Sequence, residues 1–137
     1  MQGRDETQAA PGPAGRTLLV CVDDEPEVLF ALERALREEP YEFLGTDEPE
    51  QALDWVRSRR VGLIISDYRM PDLSGTSLLH VVRAISPWTA RLMLTSYPRE
   101  PMVLRACEKG LMRVLAKPWD DSELRRTIRE HLAPPSV

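Results

Sequence analysis

The chain has 137 residues, 42% of them hydrophobic and 29% charged, enough apolar side chain for a single core of ordinary size. Its 22 acidic residues outnumber the 18 basic ones, the net charge is -4, and no long Lys or Arg run occurs, which argues against direct nucleic acid binding. No apolar run approaches the ~20 residues of a membrane span, and the opening residues lack the apolar segment of a signal peptide, so no membrane contact and a cytoplasmic location are expected.

Residues 1–16 mix Gly, Ala, Pro, Gln and charges without an apolar period and read as a flexible leader. The apolar run Thr17–Val22 has strand length and stops at Asp23-Asp24-Glu25. Pro26 then suits the first turn of a helix to Glu38, with Val28, Leu29, Leu32, Ala35 and Leu36 on its inner face. Tyr41–Thr46 is a second, less apolar strand, placed nearer a sheet edge. Asp47-Glu48-Pro49-Glu50 starts a helix whose inner stripe is Ala52, Leu53, Trp55 and Val56.

The third strand, Gly62–Ser66, ends in Asp67, followed by the turn formers Met70-Pro71-Asp72-Leu73-Ser74-Gly75. Ser74 or Gly75 opens a third helix that turns Leu78, Leu79, Val82 and Ile85 inward and stops at Pro87. Arg91–Leu94 forms a fourth strand leading to Thr95-Ser96. A weakly patterned fourth helix over Pro101–Lys109, expected to be mobile, ends at Gly110 as its C-cap. Met112–Ala116 is the fifth strand and leads into Lys117-Pro118; Asp120, Asp121 or Ser122 caps a last helix carrying Leu124, Ile128 and Leu132, and residues 133–137 form a tail. Cys21 and Cys107 read as reduced core thiols, with a disulfide between them as the alternative. His80 and His131 read as partly exposed structural residues.

Alternating strands and helices imply a parallel sheet covered on both faces. In such a sheet, reactive groups gather beyond the carboxyl ends of the strands. Asp23, Asp24, Asp67, Thr95 and Lys117 all fall at such ends. Carboxylates crowded there repel one another unless a cation sits among them, and oxygen ligands suit Mg²⁺ better than zinc. A carboxylate can then act as a covalent nucleophile toward a phosphoryl group, whose charge an ammonium and a hydroxyl stabilise. Taken alone, Asp23 and Asp24 read first as helix caps, and Thr95 by itself divides evenly between a structural and a functional reading.

Taken together, Asp23-Asp24, the run Asp67-Tyr68-Arg69-Met70-Pro71-Asp72-Leu73-Ser74-Gly75, Thr95-Ser96 and Lys117-Pro118 resemble the receiver domain of two-component response regulators over about residues 17–132. The resemblance implies an α/β, flavodoxin-like five-stranded parallel sheet of order 2-1-3-4-5. It also implies a phospho-switch that is not a metabolic enzyme, with Asp67 phosphorylated by a partner sensor histidine kinase. Asp24, Asp67 and the carbonyl of Arg69 would ligate Mg²⁺ and Asp23 would act through water; Thr95 and Lys117 would contact the phosphoryl group. Output would pass to a downstream effector or phosphotransfer protein, with a homodimer through the face of helix four, strand five and helix five as a further option. A phosphorelay intermediate, a phosphate sink and a non-phosphorylated scaffold are alternative uses of the same fold. An aspartyl phosphohydrolase of the haloacid dehalogenase type would want its two acids two apart after the first strand, and here they are adjacent. One departure is Val114, where the family usually carries an aromatic residue. Arg69 and Tyr97 occupy the positions that tune phosphoryl lifetime in this family, and their bulk implies slower hydrolysis.

Overall fold

The computed structural model describes residues 16–132; the expected leader through residue 15 and the tail at 133–137 lie outside the described residues. The elements alternate as β1 (Thr17–Val22), α1 (Pro26–Leu36), β2 (Tyr41–Thr46), α2 (Pro49–Ser58), β3 (Val61–Ser66), α3 (Gly75–Ile85), β4 (Ala90–Thr95), α4 (Pro101–Glu108), β5 (Arg113–Ala116) and α5 (Asp121–Leu132). The strands form one sheet of order β2-β1-β3-β4-β5 with every pairing parallel. The less apolar β2 is indeed an edge strand, and all six of its residues keep some exposure or are fully exposed.

Because successive side chains of a strand point to opposite faces, the sheet divides its apolar residues between two layers. Leu18, Val20, Val22, Ile64 and Met93 pack with Ala52, Leu53 and Val56 of α2, Leu78, Leu79 and Val82 of α3, and Val103 and Ala106 of α4. On the other face Leu19, Cys21, Leu63, Ile65, Leu92 and Leu94 meet Leu32, Ala35 and Leu36 of α1 and Leu124 and Ile128 of α5. Each fully buried Leu or Ile contributes roughly 1.5–3 kcal/mol, so the two-sided burial of β1, β3 and β4 is what makes the sheet centre rigid.

Local chemistry sets the helix ends. Pro26, Pro49 and Pro101 stand in the first turns of α1, α2 and α4, where a missing N–H costs nothing. The Ser74 hydroxyl accepts from the Ser77 N–H at 3.2 Å and caps α3, and Asp120 Oδ2 accepts from the Glu123 N–H at 2.9 Å at the start of α5. Gly110, with φ +79°, follows α4 in the left-handed region that glycine adopts without penalty.

Two expectations are corrected. Cys21 is buried, but Cys107 is exposed, because Val103 and Ala106 form the inner face of the short α4 and the next residue turns away from it. The two thiols are both free, and burial together with the nearby Asp23 carboxylate pushes the Cys21 thiol far up. Ile85 is 39% exposed, since the buried stripe of α3 ends at Val82. His131 is half-buried, whereas His80 is exposed. Arg16, grouped with the leader by sequence, donates from Nη1 to the Tyr41 carbonyl at 3.2 Å.

Candidate functional site

The parallel ladder continues one step beyond three strands. The Asp23 N–H donates to the Thr46 carbonyl at 3.1 Å, the Asp67 N–H to the Val22 carbonyl at 3.0 Å and the Lys117 N–H to the Thr95 carbonyl at 2.9 Å. Each of these residues is therefore tied through its own amide to the end of a neighbouring strand, which brings distant parts of the sequence to one rim of the sheet.

At that rim, oxygens of Asp23, Asp24 and Asp67 all lie within 4.8 Å of one another. Asp23 is only 2% exposed, Asp67 is also buried and Asp24 faces solvent. Lys117 Nζ lies 2.8 Å from Asp23 Oδ2, 3.4 Å from Asp67 Oδ1 and 3.8 Å from Glu25 Oε1. Burial opposes the charged form of Lys117, but the hydrogen bond and charge of Asp23, joined by Asp67, prevail and hold the ammonium above its ordinary range. Burial and the charge of Asp23 push the Asp67 carboxyl upward. Lys117 and the Tyr68 N–H, which donates to Asp67 Oδ1 at 2.8 Å, offset this only in part. One ammonium among three carboxylates leaves excess negative charge, the condition under which a divalent cation with oxygen ligands is favoured.

Neither Asp23 nor Asp24 caps α1 with its side chain; the N-cap is Glu25, without a side-chain cap bond. Instead Asp23 Oδ1 accepts from the Glu25 N–H at 2.9 Å, a turn that fixes the carboxylate while leaving Oδ2 to Lys117. Thr95 is fully buried at the end of β4, and its hydroxyl accepts from the Tyr97 N–H at 2.9 Å. The Arg69 side chain turns away from the acids: it pairs with Glu100 at 3.2 Å and lies over the Tyr97 ring, 4.0 Å from the centroid. These two contacts link the loop after β3 to the loop before α4. Val114 is half-buried against the core layer of α2, α3 and α4. The Lys117-Pro118 peptide is cis.

Three contributors escaped the sequence reading. Glu25 adds a third carboxylate near Lys117, and its place beside Asp23-Asp24 was the available signal. Ser66 is fully buried and donates from its hydroxyl to the Asp67 carbonyl at 2.8 Å; a polar residue ending an apolar run marked it. Gly75 is the third. An added Cβ there would meet the Asp67 carbonyl oxygen at 2.0 Å, and the Gly75 N–H donates to the Tyr68 carbonyl at 2.7 Å, so α3 starts directly against the backbone of Asp67.

A doubly wound parallel sheet of this strand order defines the flavodoxin-like class of α/β proteins, and here acids and a lysine stand beyond its carboxyl ends. Within that class, the family model of the response regulator receiver domain matches residues 19–129, and the chain belongs to this family. It is 35% identical over 115 residues to the hydrogenase transcriptional regulatory protein HoxA of Bradyrhizobium diazoefficiens, covering 83% of this chain and 23% of that protein. Sporulation initiation phosphotransferase F of Bacillus subtilis is 26% identical over 114 residues, covering 83% of this chain and 92% of that protein. Among solved structures, the signal receiver domain of an HD domain-containing protein from Pseudomonas fluorescens Pf-5 superposes with a TM-score of 0.80 at 34% identity, covering 85% of this chain and 94% of that one. The chain spans about a quarter of the length of the first transcriptional regulators it matches, 28% and 23%. Receiver domains are signalling modules of two-component systems, and they bind Mg²⁺ at an aspartate cluster of this kind. Among the described residues, no helix is long and apolar enough to cross a membrane.

Proposed function

We propose that residues 17–132 act as a phosphorylation switch in the cytoplasm, with Asp67 as the acceptor and a sensor histidine kinase as the donor. The observation that carries this reading is the meeting of Asp23, Asp24, Asp67 and Lys117 at one rim. Asp67 Oδ1 is held by Tyr68 and Lys117, whereas Oδ2 has no hydrogen bond among the described residues and is the oxygen free to attack. Attack on the phosphorus of a phosphohistidine forms the Asp67 O–P bond and breaks the N–P bond, with the electron pair returning to the imidazole. Lys117 is placed to pair with a phosphoryl oxygen, and Thr95 to donate its hydroxyl to another. Asp23, Asp24, Asp67 and the Arg69 carbonyl would hold Mg²⁺, which supplies charge neutralisation to the phosphoryl group when bound. Asp23 would act through water.

The product places a charge of about -1.5 to -2 on Asp67. That charge competes for Lys117 and biases the loops after β3 and β4, which Arg69 already connects through Glu100 and Tyr97. Slow self-catalysed dephosphorylation reverses the state, and a downstream effector or phosphotransfer protein reads it, with homodimerisation through α4, β5 and α5 as a second output. The test is treatment with a small acyl or amido phosphate donor and Mg²⁺, followed by intact mass spectrometry. A base-labile adduct is expected on the wild type and not on Asp67→Asn; equal labelling of both removes Asp67 from the role.

A further inference from the structure

We propose that the groove between α3 and α4 docks an acidic, amphipathic segment of a partner protein. The groove is a cavity of about 210 Å³ lined from both helices. Along α3, His80 and Arg83 follow one another at a helical step; along α4, Met102, Arg105 and Lys109 do the same. Leu111 closes the lower end. Two helical ridges with a trough between them result.

The trough is cationic and its cations are unspent. Arg83, Arg105 and Lys109 have no carboxylate within ion-pair distance among the described residues, and Arg105 reaches only the Met102 sulfur at 3.3 Å. Elsewhere Arg57, Arg59, Arg113 and Arg129 each pair with an acid, while Arg34, Arg37, Arg99 and Arg126 likewise have no carboxylate within ion-pair distance among the described residues; what sets the groove apart is that its cations line one cavity together. Arg83 is also close enough to Arg91 to reinforce the downward push that burial exerts on the Arg91 guanidinium. Like charges are therefore gathered here without compensation, in a chain whose net charge is -4. The wall is apolar as well: Met102 is 52% exposed, over buried Ala106 and Leu111.

Charge and shape together select the occupant. A drug-sized ligand wants roughly 300–1,000 Å³, more than this groove encloses. A long polyanion such as duplex DNA would also meet the acids around Asp67, against which α3 begins. A helix laid along the trough instead offers carboxylates to Arg83, Arg105 and Lys109 and an apolar side chain to Met102 and Leu111. The span from Ser77 to Arg83 is on the order of 9 Å along α3, a little over one and a half turns, so one face of a short helix can lie along it with the rest of the helix outside.

The test uses a fluorescein-labelled two-heptad peptide with Leu at core-facing helical positions and Glu elsewhere. Its Lys-for-Glu counterpart and a short DNA duplex serve as comparators. Fluorescence anisotropy at low salt reads affinity, and backbone amide shifts read location. The acidic peptide is expected to bind and to shift amides of His80, Arg83, Arg105 and Lys109. Combined charge reversal, Arg83→Glu with Lys109→Glu, should weaken binding roughly tenfold or more. Reversal of Arg34 and Arg126, exposed on α1 and α5, should leave binding unchanged. Far-UV circular dichroism confirms that all variants are folded. The proposal is overturned if the shifts fall outside α3 and residues 101–111, if both pairs of reversals act alike, if the basic peptide binds as well, or if the duplex binds more tightly than the acidic peptide.

Discussion

Gly75→Ala offers the sharpest test of how the candidate site is supported. A methyl group at this position would lie 2.0 Å from the Asp67 carbonyl oxygen, 2.9 Å from the Asp67 carbonyl carbon and 2.9 Å from Met93 Cε. An unstrained carbon-to-oxygen approach is about 3.3 Å or more, so backbone must yield by roughly an ångström. The Met93 tip can rotate away, but the Asp67 carbonyl is part of the chain and cannot. Overpacking of this kind costs about 1–3 kcal/mol. Retreat of α3 also stretches the 2.7 Å bond from the Gly75 N–H to the Tyr68 carbonyl, which adds up to about 1 kcal/mol. The better helix propensity of alanine returns at most ~1 kcal/mol. A net loss of about 2 kcal/mol is expected, read as a urea midpoint lowered by roughly 1 M at unchanged m, together with slower labelling of Asp67 by a small phosphodonor. Gly110→Ala is the control: its φ is +79° but nothing lies within 4 Å of the added Cβ, so it should cost about 1 kcal/mol of backbone strain and leave labelling intact. A Gly75→Ala protein with wild-type midpoint and wild-type labelling would refute the close-approach argument.

Lys117→Ala leaves the buried Asp23 and Asp67 without their ammonium and should destabilise the protein by about 3 kcal/mol, measured by urea unfolding; added Mg²⁺ should restore part of the loss, and a metal-insensitive loss would count against cation binding by the acids. Asp67→Asn should raise the melting temperature at neutral pH. The folded carboxyl titrates above its unfolded value of about 3.9, so wild-type stability is recovered as pH falls through the folded pKa, and the advantage of the variant should shrink toward pH 4; a pH-independent difference would show that charge is not the cause. Arg69→Ala removes an exposed ion pair and a ring contact, so a stability change within about 1 kcal/mol is expected. The aspartyl phosphate should hydrolyse faster in that variant, as followed by the decay of the mass adduct, and an unchanged lifetime would separate Arg69 from water access.

β1, β3 and β4 were legible because each is a mainly apolar run that stops at a charged or turn-forming residue. β1 and β2 have the anticipated limits, and β3 and β4 each start one residue earlier than expected, where Val61 and Ala90 join the ladder. Met112 was placed in β5 by its apolarity; it is buried, but the ladder begins at Arg113. Helix faces were less legible at their ends. Ile85 and Cys107 match the apolar pattern, yet the buried stripes of α3 and α4 end at Val82 and Ala106. Residue type alone marked the acids, but the partners of Arg69 could not be read from it. Glu100 is 31 residues away, and only the packing of the two loops brings it within 3.2 Å.

The amide tethers of Asp23, Asp67 and Lys117 carry an engineering consequence. Because these side chains hang from the ladder and not from the connecting segments, the segments beyond them are open to exchange. A chimera that replaced residues 98–100 or 119–120 with turns of similar reach should keep its charge cluster, whereas slipping β3 by a single residue would carry Asp67 to the other face of the sheet.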